Sequence, residues 1–431
     1  MHAVIPLPLL RLAYSGAASV LRGATLVAPP GHAKLLRSLR ARRGITDRYA
    51  AWGRASRDSG RPLLWMHAPS VGEGLQAKPV LERLRQTRPE VQLAYSWFSP
   101  SAERFAASLD VDFRDYLPFD TAADARSTLD ALRPTALVFS KLDVWPALVH
   151  EAKARGVRLG LVSGTLASGS GRRRRIAAAL LRDAYRSLDA VGAVSTDDAA
   201  RLVELGVRSG AITVTGDTRY DQVWDRAERA RTDGPLVGKL RSDRPTLVAG
   251  STWPSDENPL LAALSAVRLR HPRLRLIIAP HEPTAAHLSS IERWARRGQL
   301  RLARVDAAAP EHDVLLVDRT GVLGDLYALA DMAFVGGGFH SAGLHSVLEP
   351  AAFGVPVLFG PRFTNSRDAT LLMAAGGGHT AQEAASLERW IEHMLADPDA
   401  RTSAGVAARE LVQRGRGASV RSAALVESLL R

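Results

Sequence analysis

Short, uninterrupted apolar runs alternate along the chain with longer stretches of helical period. PLLWMHA (62–68), VQLAYSWF (91–98), ALVFS (136–140), RLGLVSG (158–164), AVGAVS (190–195) and AITVTG (211–216) each lead into a polar or glycine-containing turn. Helical patterns lie between most of them, as in RRRIAAALLRDAYRSL (173–188). Apolar runs without alternation predict strands covered on both faces, and the intervening helices predict βα units of a parallel sheet. A second series starts at PTLVAGS (245–251) and continues through LRLIIAP (274–280), HDVLLVD (312–318), MAFVGGG (332–338), PVLFGP (356–361) and a run from Gly376. Residues 226–244 carry no strand pattern, are polar and contain Gly-Pro at 234–235, which predicts a linker. The expected organisation is α/β: an N-terminal segment (1–45) and two Rossmann-like doubly wound domains (46–225 and 245–431) joined by 226–244. Their strand-end loops are expected to face each other across a cleft.

Length agrees with this division, since 431 residues suit two domains of about 200 each. The absence of cysteine excludes disulfides, thiolate metal sites and a Cys nucleophile. A net charge of +13 points to anionic partners: lipid head groups, phosphorylated substrates or nucleic acid. The basic clusters Lys34–Arg43 and Arg172–Arg175 are not interleaved with aromatics, so no nucleic-acid surface is expected.

The N-terminal stretch AVIPLPLLRLAYSGAASVLRGATLVA (3–28) is apolar apart from Arg11 and Arg22. Arg11 interrupts a spanning run, and no basic residue precedes it as a signal peptide would require. The expectation is a helix lying in a membrane interface, with basic residues from Lys34 onward on anionic lipid. A helix packed on the first domain is the alternative.

Chemistry-bearing residues gather just after the strands. HAPSVGEG (67–74) sets Glu73 between two glycines at a strand end, either as a solvated turn residue or as a base at the sheet's mouth. Asp143 follows ALVFS beside Trp145-Pro146, and Arg219 lies in TGDTRYD (215–221). Loops after the strands of one parallel sheet converge on one edge. In the second half, GSTWPSDE (250–257) offers Ser251 and Thr252 to a phosphate, with Ser255 as the expected helix cap. His281 in APHEP (279–283) is either a phosphate contact or a polar strand end. FVGGGFHSAGLHSVLEPAAFGVPVLFGP (334–361) holds Gly336, Gly337 and Gly338 after a strand, then a helix expected to open near His345 with Glu349 in its first turns. Free N–H groups there suit a phosphate, and Glu349 suits the two hydroxyls of a ribose.

Taken together, HAPSVGEG, the DVWP segment, TGDTRYD, GSTWPSDE and the 334–361 string resemble the 3-deoxy-D-manno-octulosonic acid (Kdo) transferases of lipopolysaccharide synthesis, to about residue 380. The resemblance implies a GT-B fold with an acceptor-binding first domain and a nucleotide-binding second domain. It also implies CMP-Kdo as donor, a lipid A precursor as acceptor, and inversion without a metal or other cofactor. The setting it implies is the cytoplasmic face of the inner membrane. It places the catalytic base at Glu73, a second acid at Asp143 and a basic residue at Arg219. CMP contacts fall on Pro280 and His281, on Gly321, Val322 and Leu323, and on Ser346, Val347, Leu348 and Glu349. The chain departs from the family pattern at Lys141, Arg219, His281, Val322 and Ser346, as a divergent branch would. Three other readings are a GT-B enzyme with another nucleotide-sugar donor, an inactive GT-B membrane scaffold, and a nucleic-acid binder suggested by charge alone.

Overall fold

The computed structural model describes residues 7–31, 33–167, 169–233 and 235–431. Residues 3–6 of the expected N-terminal helix and Gly234 of the expected linker lie outside the described residues. The chain divides into two compact units, Met1–Asp221 with Arg416–Arg431, and Gln222–Gly415.

The first unit carries seven strands: β1 (Leu63–His67), β2 (Gln92–Trp97), β3 (Phe113–Tyr116), β4 (Ala136–Ser140), β5 (Arg158–Gly164), β6 (Ala190–Ala193) and β7 (Ile212–Val214). They form one parallel sheet in the order β3-β2-β1-β4-β5-β6-β7. Strands β1, β2 and β4 are buried at every position, which is why their sequences read as apolar runs. Strand order reverses between β1 and β4. That switch point opens a crevice at the carboxyl ends of the two strands.

The second unit repeats the plan with β8 (Thr246–Thr252), β9 (Arg275–Pro280), β10 (Leu302–Arg304), β11 (Val314–Leu316), β12 (Met332–Val335), β13 (Val357–Phe359) and β14 (Gly378–Thr380). Its parallel order is β10-β11-β9-β8-β12-β13-β14, so the switch point lies between β8 and β12.

Two boundaries differ from the sequence reading. Residues 226–244 are largely helical, within Thr218–Asp233 and Pro235–Leu240, and belong to the second unit. The last sixteen residues return to the first unit, where the helix Ala418–Ser428 packs against the helix Val71–Thr87 and β6. Asp221 anchors this return: its carboxylate accepts the N–H groups of Gly417 and Ser419 at 2.6 and 2.7 Å. Buried Ala423, Val426 and Leu429 complete the contact.

The helix Leu7–Val27 is turned opposite to an ordinary surface helix. Its polar residues face the first unit: Arg11 pairs with Asp183, Tyr14 donates to Asp120 at 2.7 Å, and Arg22 grips Asp124 at 2.7 and 2.9 Å. Its large apolar residues point mostly outward, with Leu12 69%, Val20 72% and Leu26 75% exposed. Among the described residues no helix is long and apolar enough to cross a membrane.

Candidate functional site

Glu73 does not sit in a turn. It is the third residue of the helix Val71–Thr87, separated from the end of β1 by three residues. Gly74 accounts for one of its two glycine neighbours, since a Cβ there would lie 2.4 Å from the Phe105 ring and 2.8 Å from the Tyr95 hydroxyl. The helix therefore runs close over β2 and fixes the position of its first turn.

The Glu73 carboxylate accepts from the Ser70 hydroxyl and, at 3.2 Å, from the Lys141 ammonium beyond β4. Burial alone would raise its pKa. The Ser70 bond and the Lys141 charge outweigh burial and hold the carboxyl below the usual glutamate range. Lys141 reaches Glu73 from a left-handed backbone (φ 65°). Two strand ends flanking the switch point thus share one ion pair.

Asp143 belongs to a second, deeper network. Its Oδ2 accepts from Trp145 Nε1 at 3.0 Å and lies 3.3 Å from His67 Nε2; Arg172 approaches Oδ1 at 3.5 Å. His67 is fully buried, and its Nδ1 is 3.0 Å from Ser96 Oγ, which accepts from Trp65 Nε1 at 2.9 Å. Trp145 Nε1 also donates toward His67 Nε2 at 3.2 Å, so indole, imidazole and the Asp143 carboxylate meet at one point. His67 was missed from the sequence, although a histidine closing an otherwise apolar strand is a visible signal.

Arg219 lies in the first turn of Thr218–Asp233, and its guanidinium bonds Asp217 Oδ2 at 2.7 and 2.9 Å. The charge is therefore paired within its own loop. Thr218 Oγ1 donates to the Gln76 carbonyl at 2.7 Å, fastening this loop to the helix that carries Glu73.

In the second unit the Gly-rich loop is already occupied by protein. Asp256, fully buried, accepts from Trp253 N (2.9 Å), Gly337 N (2.7 Å) and Phe339 N (2.8 Å). Asp256, not Ser255, caps the helix Pro254–Arg270 through this bond to Trp253 N, and the Gly337 N–H is committed to it. Gly336 is required for another reason: a Cβ would fall 2.3 Å from Ser251 O and 2.6 Å from Thr252 Cα, so only glycine lets β12 end against β8. Thr252 is fully buried and its hydroxyl donates to Glu257 at 2.6 Å. Ser251 holds a left-handed backbone (φ 55°), and Gly338 abuts Gly360.

The helix expected near His345 is shorter than the sequence suggested, spanning only Leu348–Ala352, with Val347 before it and Ser346 exposed. Glu349 is its second residue. Burial pushes the Glu349 carboxyl above its usual range, Arg226 opposes this and Asp325 adds to it. Arg226, taken from sequence as linker, bonds Asp325 at 2.9 Å and the Gly321 carbonyl at 2.9 Å. Val322 precedes the short helix Leu323–Leu326, and Leu323 and Tyr327 crowd the face of Gly250. The loop 321–325, Glu349 and Arg226 therefore form one polar group.

His281 follows Pro280 at the end of β9, and its N–H donates to Thr252 O at 2.9 Å. Its ring joins Trp253, His340 and His345, three residues absent from the sequence-derived site.

Two doubly wound parallel sheets, each with a polar cluster at its switch point, define a protein of GT-B type. The shape agrees with a putative UDP-N-acetylglucosamine 2-epimerase from Listeria monocytogenes: TM-score 0.61, 14% identity, covering 85% of this chain and 96% of that one. That likeness speaks for the fold alone. Residues 37–222 match the family described as 3-deoxy-D-manno-octulosonic-acid transferase (kdotransferase). The chain is 31% identical over 399 residues to the 3-deoxy-D-manno-octulosonic acid transferase of Bordetella pertussis, covering 88% of this chain and 91% of the relative. It is 26% identical over 400 residues to that of Haemophilus influenzae, covering 92% and 93%. The chain belongs to the 3-deoxy-D-manno-octulosonic acid transferase family.

The Glu73–Lys141 pair gives a pH prediction. A depressed carboxyl stays ionised at neutral pH and loses its charge only as pH falls through its lowered value. Lys141→Met removes the opposing cation, so the acid limb of kcat/KM is expected to move to higher pH. A pH–rate profile of both proteins measures it, and an unmoved limb separates Glu73 from that limb.

Proposed function

We propose that this protein is an inverting, metal-independent glycosyltransferase that moves Kdo from CMP-Kdo to a lipid A precursor. The observation carrying this reading is Glu73 itself: a partly buried, ionised carboxylate at the β1/β4 switch point of a Kdo transferase family member. In an inverting transfer the acceptor hydroxyl attacks the anomeric carbon from the face opposite the leaving group. Its proton passes to Glu73, the new glycosidic bond forms, and the bond to CMP breaks with its electron pair on the phosphate oxygen. Asp143, held by Trp145 and Arg172, positions the acceptor. Arg219, its guanidinium paired with Asp217, stands at the same sheet edge.

The second unit serves as the nucleotide-binding domain. Glu349 with the 321–323 loop receives the cytidine ribose, while Ser251, Pro280, His281 and Ser346 border the phosphate. On the metal-free reading, full activity in excess EDTA is expected. NMR of the product is expected to show the anomeric configuration opposite to the donor's. Retained configuration, or activity abolished by EDTA and restored by a divalent ion, would overturn the inverting, metal-free reading.

The site of action is the cytoplasmic face of the inner membrane. The outward leucines of Leu7–Val27, exposed Leu35 and Ile176, and the exposed cations Lys34, Arg37, Arg40 and Arg173–Arg175 support docking on anionic lipid. Leu12→Glu with Val20→Glu leaves the Arg11, Tyr14 and Arg22 contacts intact. The pair is expected to lower vesicle binding at least tenfold without changing the melting temperature. Unchanged flotation with phosphatidylglycerol vesicles would remove this face from the account.

A further inference from the structure

The carboxyl edge of the second sheet carries four stacked rings. Trp253 lies parallel to His340 (centroids 4.3 Å apart, 6° between planes) and 4.8 Å from His281, and His281 stacks on His345 at 4.4 Å. The rings come from the ends of β8 and β9 and from the loop after β12, so they border the β8/β12 switch point.

The ring nitrogens are placed unequally. Trp253 Nε1 donates to His345 Nε2 at 3.1 Å, so that nitrogen carries no proton. Burial, with the neighbouring His281 next, pushes His345 down to about 4; Asp256 opposes and His340 adds to the fall. His345 is thus the neutral member that orients the indole. His340 accepts the Ala342 N–H on Nδ1 at 3.1 Å, which turns Nε2 into its donor. His281 is exposed.

The charged groups around the stack do not neutralise it. Asp256 has three backbone N–H donors. Glu257 accepts from Thr252 and pairs with His287 at 2.8 Å. Glu282 follows His281 and lends its carbonyl to His287 Nδ1, and Arg362 approaches through its N–H on Gly338 O. No carboxylate pairs with His281, His340 or His345 among the described residues. An anion seated against the three imidazoles favours a protonated ring, because opposite charge stabilises it.

We infer that Trp253, His281 and His340, braced by His345, form a seat for the anionic phosphodiester of a nucleotide that closes by taking up a proton, so that affinity falls as pH rises. The inference rests on the nucleotide-binding role proposed for this unit and adds a regulation to it.

The probe is the methyl ester of CMP, a phosphodiester whose own charge is constant across the range tested. Calorimetric titration of the whole protein is expected to show affinity falling about tenfold between about pH 6 and about pH 8, with proton uptake of up to one per site. Cytidine, lacking the anion, is expected to bind without this slope. His281→Arg, at an exposed position, supplies a permanent charge and is expected to flatten the profile while keeping affinity at high pH. His340→Gln is expected to lower affinity at low pH and flatten it as well. Wild-type affinity independent of pH, a slope equal in wild type and His281→Arg, or no binding of any nucleotide ester would overturn the inference. Binding of the UMP ester with the same slope, and none of the CMP ester, would uphold the seat and overturn the donor proposed above.

Discussion

Glu73→Gln is expected to lower kcat by about 10²–10⁴-fold, the range a positioned general base contributes. The amide keeps the size of the side chain and can still accept from Lys141 through its carbonyl oxygen. It cannot take a proton from the acceptor hydroxyl. Nucleotide affinity should be unchanged, since the residues proposed to hold cytidine and phosphate belong to the other compact unit. The melting temperature should shift little, because the packing around Gly74, Tyr95 and Phe105 is untouched. The Lys141 charge and the Ser70 bond keep Glu73, the proposed base, ionised.

Asp256→Ala is expected to be the most damaging single change in the second unit. The carboxylate satisfies three backbone N–H groups, from Trp253, Gly337 and Phe339, in a site closed to water. Each stranded donor costs about 1–3 kcal/mol, so the loss should be about 3 kcal/mol or more. Thermal unfolding should show the transition of the second unit moving down, and binding of CMP should weaken more than tenfold as the glycine loop leaves β8. Asp256→Asn should fall between, because the amide nitrogen cannot accept the N–H that one carboxylate oxygen holds. Equal stability of all three proteins would mean that the loop is held by the glycine contacts alone.

Much of this architecture is legible in the chain, for physical reasons that also mark where it stops being so. Strands β1, β4, β8 and β9 are central and covered on both faces, so their sequences are contiguous apolar runs. Strand β10 is a three-residue edge strand ending in Arg304, with no comparable burial, and it leaves no such run. Strand β3, FRDY, shows only its end to a reader of the sequence. The helix at 418–428 looks like the last element of the second domain. Its buried Ala423, Val426 and Leu429, together with the Gly417 and Ser419 N–H bonds to Asp221, 196 and 198 residues back, return it to the first.

The candidate site divides in the same way. Glu73, Asp143, Arg219 and His281 follow strand ends, and position alone marks them. Asp256 reads as an ordinary acid in a first helical turn, because its Gly337 and Phe339 partners lie 81 and 83 residues on. Arg226 reads as linker for the same reason, with Asp325 99 residues away. Conversely, the glycines of 336–338 suggest an open cradle for phosphate, whereas Gly336 admits the neighbouring strand and Gly337 spends its N–H on Asp256.

The central claim is Kdo transfer from CMP-Kdo, and the mass of the acceptor tests it most directly. The wild-type protein would be incubated with CMP-Kdo generated in situ and a tetra-acylated lipid A precursor, beside Glu73→Gln. The account predicts an acceptor heavier by whole Kdo units with the wild type, and almost none with the variant. An acceptor of unchanged mass, from a folded wild-type protein that binds CMP, would contradict it.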